Sequence, residues 1–297
     1  MDVRAAVLGH PVAHSLSPAL HAAAYRALGL DDWEYGRHDV DAAGLEAFLS
    51  DVDRGWAGLS LTMPLKHRAL ELVDHVDPLA AAVGAVNTVL VSPAGPAGDT
   101  AGGVTLTGTN TDVYGLVQAL REGLAARPPA PEVTRAVVLG GGATAASALA
   151  ALGELGCTSA RVLVRSLDRV GELRAAIARM GVTPELVEAD LTGADGRVAG
   201  ELAAADVVVS TLPPRAADPL AAVLGSAPRG VLLDVAYDPR PTALHAAWAS
   251  AGGTAVPGER MLLHQAVAQV RLMTGRDTSP AGVLAAMDAA LATALDV

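Results

Sequence analysis

Residues 135–152 read RAVVLGGGATAASALAAL. A short apolar run of strand type ends in three glycines, and an alanine-rich run of helical type follows. Gly140, Gly142 and Ala145 fill the three small positions of the G-x-G-x-x-G/A fingerprint. The first glycine makes the turn, the second lets backbone approach a pyrophosphate, and the small third residue lets helix pack on strand. Gly141 and Ala143 complete the loop, and the pyrophosphate would rest on the free N–H groups opening the helix. A glycine turn with no ligand can be spelled the same way; the strand before it and the helix after it favour the nucleotide.

The next strand, RVLVRS (161–166), ends in Arg165 and Ser166, with Arg169 about one helical turn further on. A carboxylate there would bind the ribose hydroxyls of NAD, whereas arginine suits the 2′-phosphate of NADP. Two surface arginines among twenty are the plain alternative; the strand-end placement favours NADP. Weaker strands follow near 182–188, 206–211, 231–237 and 254–257, with helical segments between them. Alternation of this kind predicts a Rossmann-type, doubly wound dinucleotide domain over residues 113–257.

Upstream the alternation is similar. Strands are predicted at 3–9, 33–40 and 55–62. Ser17 is placed as an N-cap with Pro18 at the first helical position; Asp41 starts a second helix, and Pro64 opens a third. A first α/β domain with a mostly parallel sheet follows, over residues 1–112. SPAGPAGDTAGG (92–103) reads as the tip of a hairpin, RPPAPE (127–132) as a linker, and residues 258–297 as helical to the end.

Composition narrows the function classes. A net charge of -11 without a basic run argues against nucleic acid, which is held by Lys and Arg on phosphate. The single Cys157 excludes an intramolecular disulfide and fits a reducing compartment. Eight scattered histidines show no paired ligand spacing, so no metal is assigned. The uncharged stretch 136–153 has the length of a membrane span, but its glycines make it strand, turn and buried helix. The N-terminus reads as a first strand and not as a secretory signal. The expectation is a soluble, cytoplasmic protein without membrane partners.

GLSLTMPLKH (58–67) holds Lys66, the only lysine in 297 residues against twenty arginines. Arginine can replace lysine wherever only charge is needed, but it does not give up a proton near neutral pH. A surviving lone lysine is therefore a candidate for proton transfer; drift on a solvated helix end is the alternative. Asparagine occurs only at Asn87 and Asn110. A carboxamide suits a polar ligand as well as a tight turn. For Asn110 the turn is favoured, and for Asn87 both remain open.

GHPVAHSLSPALH, LSLTMPLK, GAVNTV, GTNTDVYG, DVAYDP and MLLHQAVAQVRLMTG stand in the order found in shikimate dehydrogenases, and the chain resembles that family along essentially its whole length. The resemblance implies an N-terminal substrate domain, an NADP(H)-binding Rossmann domain, and C-terminal helices (258–297) returning to the first domain. The implied reaction is NADPH-dependent reduction of 3-dehydroshikimate to shikimate in aromatic amino acid biosynthesis. By motif, Ser15 and Ser17 resemble the hydroxyls that hold the substrate carboxylate. Thr62, Asn87 and Gln265 resemble groups bonding the ring hydroxyls, and Lys66 and Asp112 the pair at the reacting position. Gly258 and Met261 resemble positions lining the nicotinamide, and Tyr237 one near the substrate. Hydride delivery to a ketone leaves an oxyanion, which needs a hydrogen-bond donor and then a proton. Lys66 could supply both while Asp112 holds its ammonium; Asp112 is equally suited to capping the helix that follows.

Three positions and one segment depart from the family pattern: Ser60 stands for the usual Asn, Ala143 for a further Gly, and Val164 for an Asn before the cofactor arginine. The segment STLPPRAADP (210–219) replaces a usual N-A-T…G-M stretch. Quinate/shikimate and aminoshikimate dehydrogenases resemble the same motifs, and a non-catalytic NADP-binding regulatory module is the alternative of another class. A monomer and a homodimer both remain open.

Overall fold

The structure is a computed structural model and describes residues 2–95, 103–127, 132–193, 196–225, 228–278 and 281–295. It divides into two compact units, residues 1–111 with 265–297 and residues 112–264.

In the first unit the elements run β1 (Val3–Gly9), α1 (Ser17–Ala27), β2 (Trp33–Asp39), α2 (Leu45–Ser50) and β3 (Trp56–Leu61). They continue with α3 (Leu65–Arg68), β4 (His75–Val76), α4 (Pro78–Val83), β5 (Thr88–Pro93) and β6 (Val104–Thr109). The sheet order is β2-β1-β3-β5-β6-β4, with β5 alone antiparallel to the rest. Leu8, Leu45, Leu59, Leu61, Leu65 and Val89 form the centre of its core.

This topology fixes where functional residues can gather. The parallel strands β1, β3 and β6 end at Gly9, Leu61 and Thr109, and the reversed β5 begins at Thr88. Residues after β1, β3 and β6 and before β5 therefore lie along one edge of the sheet. Ligands of open α/β sheets bind beyond such an edge.

The second unit runs α5 (Asp112–Ala125), β7 (Arg135–Leu139), α6 (Ala143–Glu154), β8 (Ser159–Val164), α7 (Gly171–Met180) and β9 (Glu185–Glu188). Then come α8 (Arg197–Ala204), β10 (Val207–Ser210), α9 (Asp218–Val223), β11 (Val231–Asp234), α10 (Ala243–Ser250) and β12 (Thr254–Pro257). All six strands are parallel, in the order β9-β8-β7-β10-β11-β12. Numbered within the unit this is 3-2-1-4-5-6, the doubly wound dinucleotide order. The runs VVVS of β10 and VLLD of β11 are buried throughout, as central strands covered on both faces must be. Leu139, Leu163, Leu202, Val208, Leu232 and Trp248 form its core.

The long helix α11 (Gly258–Thr274) crosses the division of the chain, which falls between His264 and Gln265. Helix α12 (Ala281–Leu295) packs on α1.

Four local expectations change. Ser17 is not an N-cap: it is the first residue of α1, Leu16 holds the cap position, and Ser15 Oγ accepts the Ser17 N–H at 3.3 Å. The helix after β2 begins at Leu45, because Asp41 Oδ1 accepts the Gly44 N–H at 2.8 Å and closes a turn first. Helix α5 begins on Asp112 itself. The C-terminal helical stretch is broken after Thr274 by Gly275, at φ 65°. The expected hairpin of β5 and β6 forms, while most of its tip (96–102) and of the 127–132 linker lies outside the described residues.

Candidate active site

In the first unit, the loop after β1 is clamped by β2. Arg37 donates to the carbonyls of Ala13 and, at 2.8 Å, Ser15; Asp39 accepts the Val12 N–H at 3.3 Å. Ser15 and Ser17 are thereby brought side by side, with Ser17 buried. Behind them His21 stacks on Tyr35 with ring centroids 3.8 Å apart. Burial holds the His21 ring down at about 4, so it stays neutral, with Nδ1 bonded to the Ser17 carbonyl at 2.9 Å.

Thr62 follows β3, its N–H donating to the Leu8 carbonyl at 2.9 Å. A Cβ at Gly9 would lie 2.2 Å from Thr62 Cγ2, so only glycine allows β1 to end this close. One turn on, Lys66 is half-buried on α3, and its carbonyl accepts the Val86 N–H at 2.9 Å. That bond ties the lysine's backbone to the residue before Asn87.

Asn87 is buried, and its carboxamide is fixed from both ends. Its Oδ1 accepts the Thr111 N–H at 2.8 Å and the Thr88 hydroxyl at 2.9 Å, while Nδ2 donates to Thr111 Oγ1 at 2.9 Å. Asp112, also buried, is the next residue in the chain after Thr111. Asn110 is buried, and its Nδ2 donates at 2.9 Å to the carbonyl of Ala85, 25 residues earlier, a tie between two segments rather than within a turn. Gln265 is buried on α11, and one turn later the buried Gln269 reaches Ser60 and Thr88. Sequence reasoning missed Gln269, Thr111 and Tyr35. A polar residue four positions after Gln265, on its face of the helix, was the available signal for the first.

In the second unit, Gly140 adopts φ 109°, and a Cβ there would lie 2.5 Å from Thr211 Oγ1. It sits between the ends of β7 and β10, where the strand order reverses. Gly141 packs against Val170 and Val164, so the residue replacing the family's Asn serves as a floor under the glycine loop. Nothing lies within 4 Å of a Cβ built on Gly142, and the N-terminus of α6 has no side-chain cap. Ala143 opens that helix, and Ala145 is fully buried. Open space over uncapped N–H groups fits a phosphate.

Arg165 lines a cavity of about 530 Å3 with Glu188, Asp190, Thr192, Leu212 and Pro219. It lies beyond the ends of β8, β9 and β10. Ser166 Oγ accepts the Asp168 N–H at 3.4 Å, and Arg169 ends the short 3₁₀ turn that follows. Glu188 accepts the Leu167 N–H at 2.9 Å and so holds this loop. A second cavity of about 340 Å3 is lined by Tyr237, Arg240, His245 and Glu259. Burial, then the charges of Asp238 and Glu259, push the Tyr237 phenol up. A Cβ at Gly258 would lie 2.4 Å from the Val235 carbonyl, so β11 and α11 meet without a side chain between them; Met261 is buried one turn on. Glu122 on α5 receives both Arg260 Nε and Nη2 at 2.8 Å, with His264 Nε2 at 2.7 Å. Burial works against that carboxylate's charge, but Arg260 and His264 hold it below the usual range. Among the described residues no cluster of His, Cys, Asp and Glu could hold a metal ion, and no helix is long and apolar enough to cross a membrane.

The family model described as the shikimate dehydrogenase substrate binding domain matches residues 7–89. Shikimate dehydrogenase (NADP(+)) of Rubrobacter xylanophilus is 38% identical over 276 residues, spanning 91% of this chain and 90% of that protein. Among solved structures, shikimate dehydrogenase of Mycobacterium tuberculosis is similar at 41% identity and TM-score 0.82, covering 98% of this chain and 99% of that one. Shikimate 5-dehydrogenase of Thermus thermophilus, solved in complex with NADP(H) and shikimate, is similar at 32% identity and TM-score 0.73, covering 97% and 99%.

Proposed function

Since this chain belongs to the shikimate dehydrogenase family, we propose that it interconverts 3-dehydroshikimate and shikimate with NADP(H), on the residues gathered at the edge of the first sheet. The first unit, within which the substrate-domain match falls, takes the shikimate; the second takes the cofactor. The observation that carries the site is the buried Asn87 carboxamide, locked at the edge where Ser15, Thr62 and Lys66 also emerge. A side chain held by three partners before any ligand arrives is pre-organised for one.

Ser15 and Ser17 supply hydroxyls to the substrate carboxylate, and Thr62, Asn87 and Gln265 bond the ring hydroxyls. Lys66 donates to the oxygen at the reacting carbon and gives it a proton, with Asp112 orienting the ammonium. NADPH, when bound, supplies the hydride. The Gly140–Ala143 loop and the start of α6 suit its pyrophosphate; Arg165, Ser166 and Arg169 suit the 2′-phosphate. Gly258, Met261 and Tyr237 are assigned to the nicotinamide and substrate end. Initial rates with shikimate and with quinate, each against NADP+ and NAD+, test this reading. Shikimate with NADP+ is expected to give the highest kcat/KM, and equal turnover of quinate with NAD+ would overturn it.

A further inference from the structure

Ser60 and Gln269 are both buried and 209 residues apart in sequence, yet Ser60 Oγ donates to Gln269 Oε1 at 2.8 Å. Ser60 has its hydroxyl hydrogen to give because its lone pair takes the Tyr35 hydroxyl at 2.6 Å. With its oxygen so occupied, Gln269 must present Nε2 on the other side. Nε2 donates to Thr88 Oγ1 at 3.0 Å and to the Asn87 carbonyl at 3.3 Å. Thr88 in turn donates to Asn87 Oδ1 at 2.9 Å, and Asn87 Nδ2 donates to Thr111 Oγ1 at 2.9 Å.

Every donor in this series points the same way, from Tyr35 through Ser60, Gln269 and Thr88 to Asn87. A hydroxyl that accepts one bond is steered in where it donates, and a primary amide has one donor end and one acceptor end. Turning any member over would set donor against donor in a buried space, which costs the full penalty of unsatisfied polar groups. We infer that Gln269 is a positioning residue for the reaction: acting through Thr88, and together with the Thr111 N–H that donates to Asn87 Oδ1 at 2.8 Å, it holds the Asn87 carboxamide in the one orientation presented to substrate. Ser60 and Gln269 act as one device. The short serine leaves room at the end of β3, and the long glutamine of α11 fills it with an amide aimed at Asn87 and Thr88.

The inference rests on Asn87 as a substrate contact, and the test separates the two ideas. Gln269→Met keeps length and apolar bulk but removes both donors and the acceptor. It is expected to raise KM for shikimate on the order of tenfold, the scale of one or two hydrogen bonds, with KM for NADP+ unchanged. Gln269→Glu retains the acceptor for Ser60 and is the second variant if the first does not fold; the same rise in KM is expected. Asn87→Ala should raise KM for shikimate by itself, and the double change Asn87→Ala with Gln269→Met should add little further. Were Gln269 only a packing residue, both Gln269 variants would lower Tm and leave KM for shikimate alone, which would overturn the inference. Additive effects in the double change would also overturn it. An Asn87→Ala enzyme with unchanged KM would instead remove the site reading beneath it.

Discussion

Lys66→Arg keeps a charge and approximate reach while removing a proton that can be transferred near neutral pH. Both Lys66→Arg and Lys66→Ala are expected to lower kcat by about 10²-fold or more, the usual scale for a positioned acid. A near-normal kcat in Lys66→Arg would move the proton to Asp112 or water. Arg165→Ala is expected to raise KM for NADP+ by about tenfold to a hundredfold and leave NAD+ little changed, because charge-assisted bonds to a 2′-phosphate are worth about 1.5–3 kcal/mol each. Equal losses with both cofactors would put Arg165 elsewhere. At this scale legibility followed rarity. A lone lysine and a pair of asparagines could be picked out because the composition had all but discarded those types, but the turn favoured for Asn110 gives way to a bond to Ala85, 25 residues earlier. Gln269 could be placed on the face of Gln265, but its role was not legible: that depends on Ser60, 209 positions away, and no local pattern connects them.

At the scale of elements, Gly140 shows why the glycine loop cannot be spelled otherwise. Gly140→Ala forces a side chain to φ 109° and against Thr211. The expected cost is about 1–3 kcal/mol of stability, measured by denaturant unfolding, together with weaker NADPH binding by fluorescence. Parent-like values for both would show that β7 and β10 can part to admit a methyl group. The strands of the second unit were readable because central parallel strands are continuous apolar runs bounded by turns. Helix starts were less so. Ser17 followed by proline is the usual spelling of a cap, but Ser17 is already the first residue of α1, and its own N–H donates to Ser15 Oγ, so the helix starts one residue early. The reversed β5 was legible only as a hairpin; that its reversal brings Asn87 to the edge where β3 ends is a matter of pairing, which periodicity does not encode.

For the molecule as a whole, His21 makes stability depend on pH. Burial lowers its ring to about 4 in the fold, whereas the unfolded chain takes up a proton below about 6.5. The unfolded state therefore binds more protons in that window, and stability rises with pH across it. The contribution is fully present above pH 6.5 and amounts to about 3 kcal/mol lost on descending toward pH 4. Urea midpoints should fall over that range for the parent and fall less for His21→Phe, which keeps an aromatic ring against Tyr35; parallel slopes would assign the effect to other groups. The bond between the Lys66 carbonyl and the Val86 N–H also makes the chain its own reporter of unfolding. A protease that cuts only after lysine has one target in this sequence, the Lys66–His67 peptide, and its carbonyl is held inside a helix of the first unit. Digestion should leave the native protein whole, and in rising urea it should release just two pieces, 1–66 and 67–297, at a rate that follows the opening of that unit.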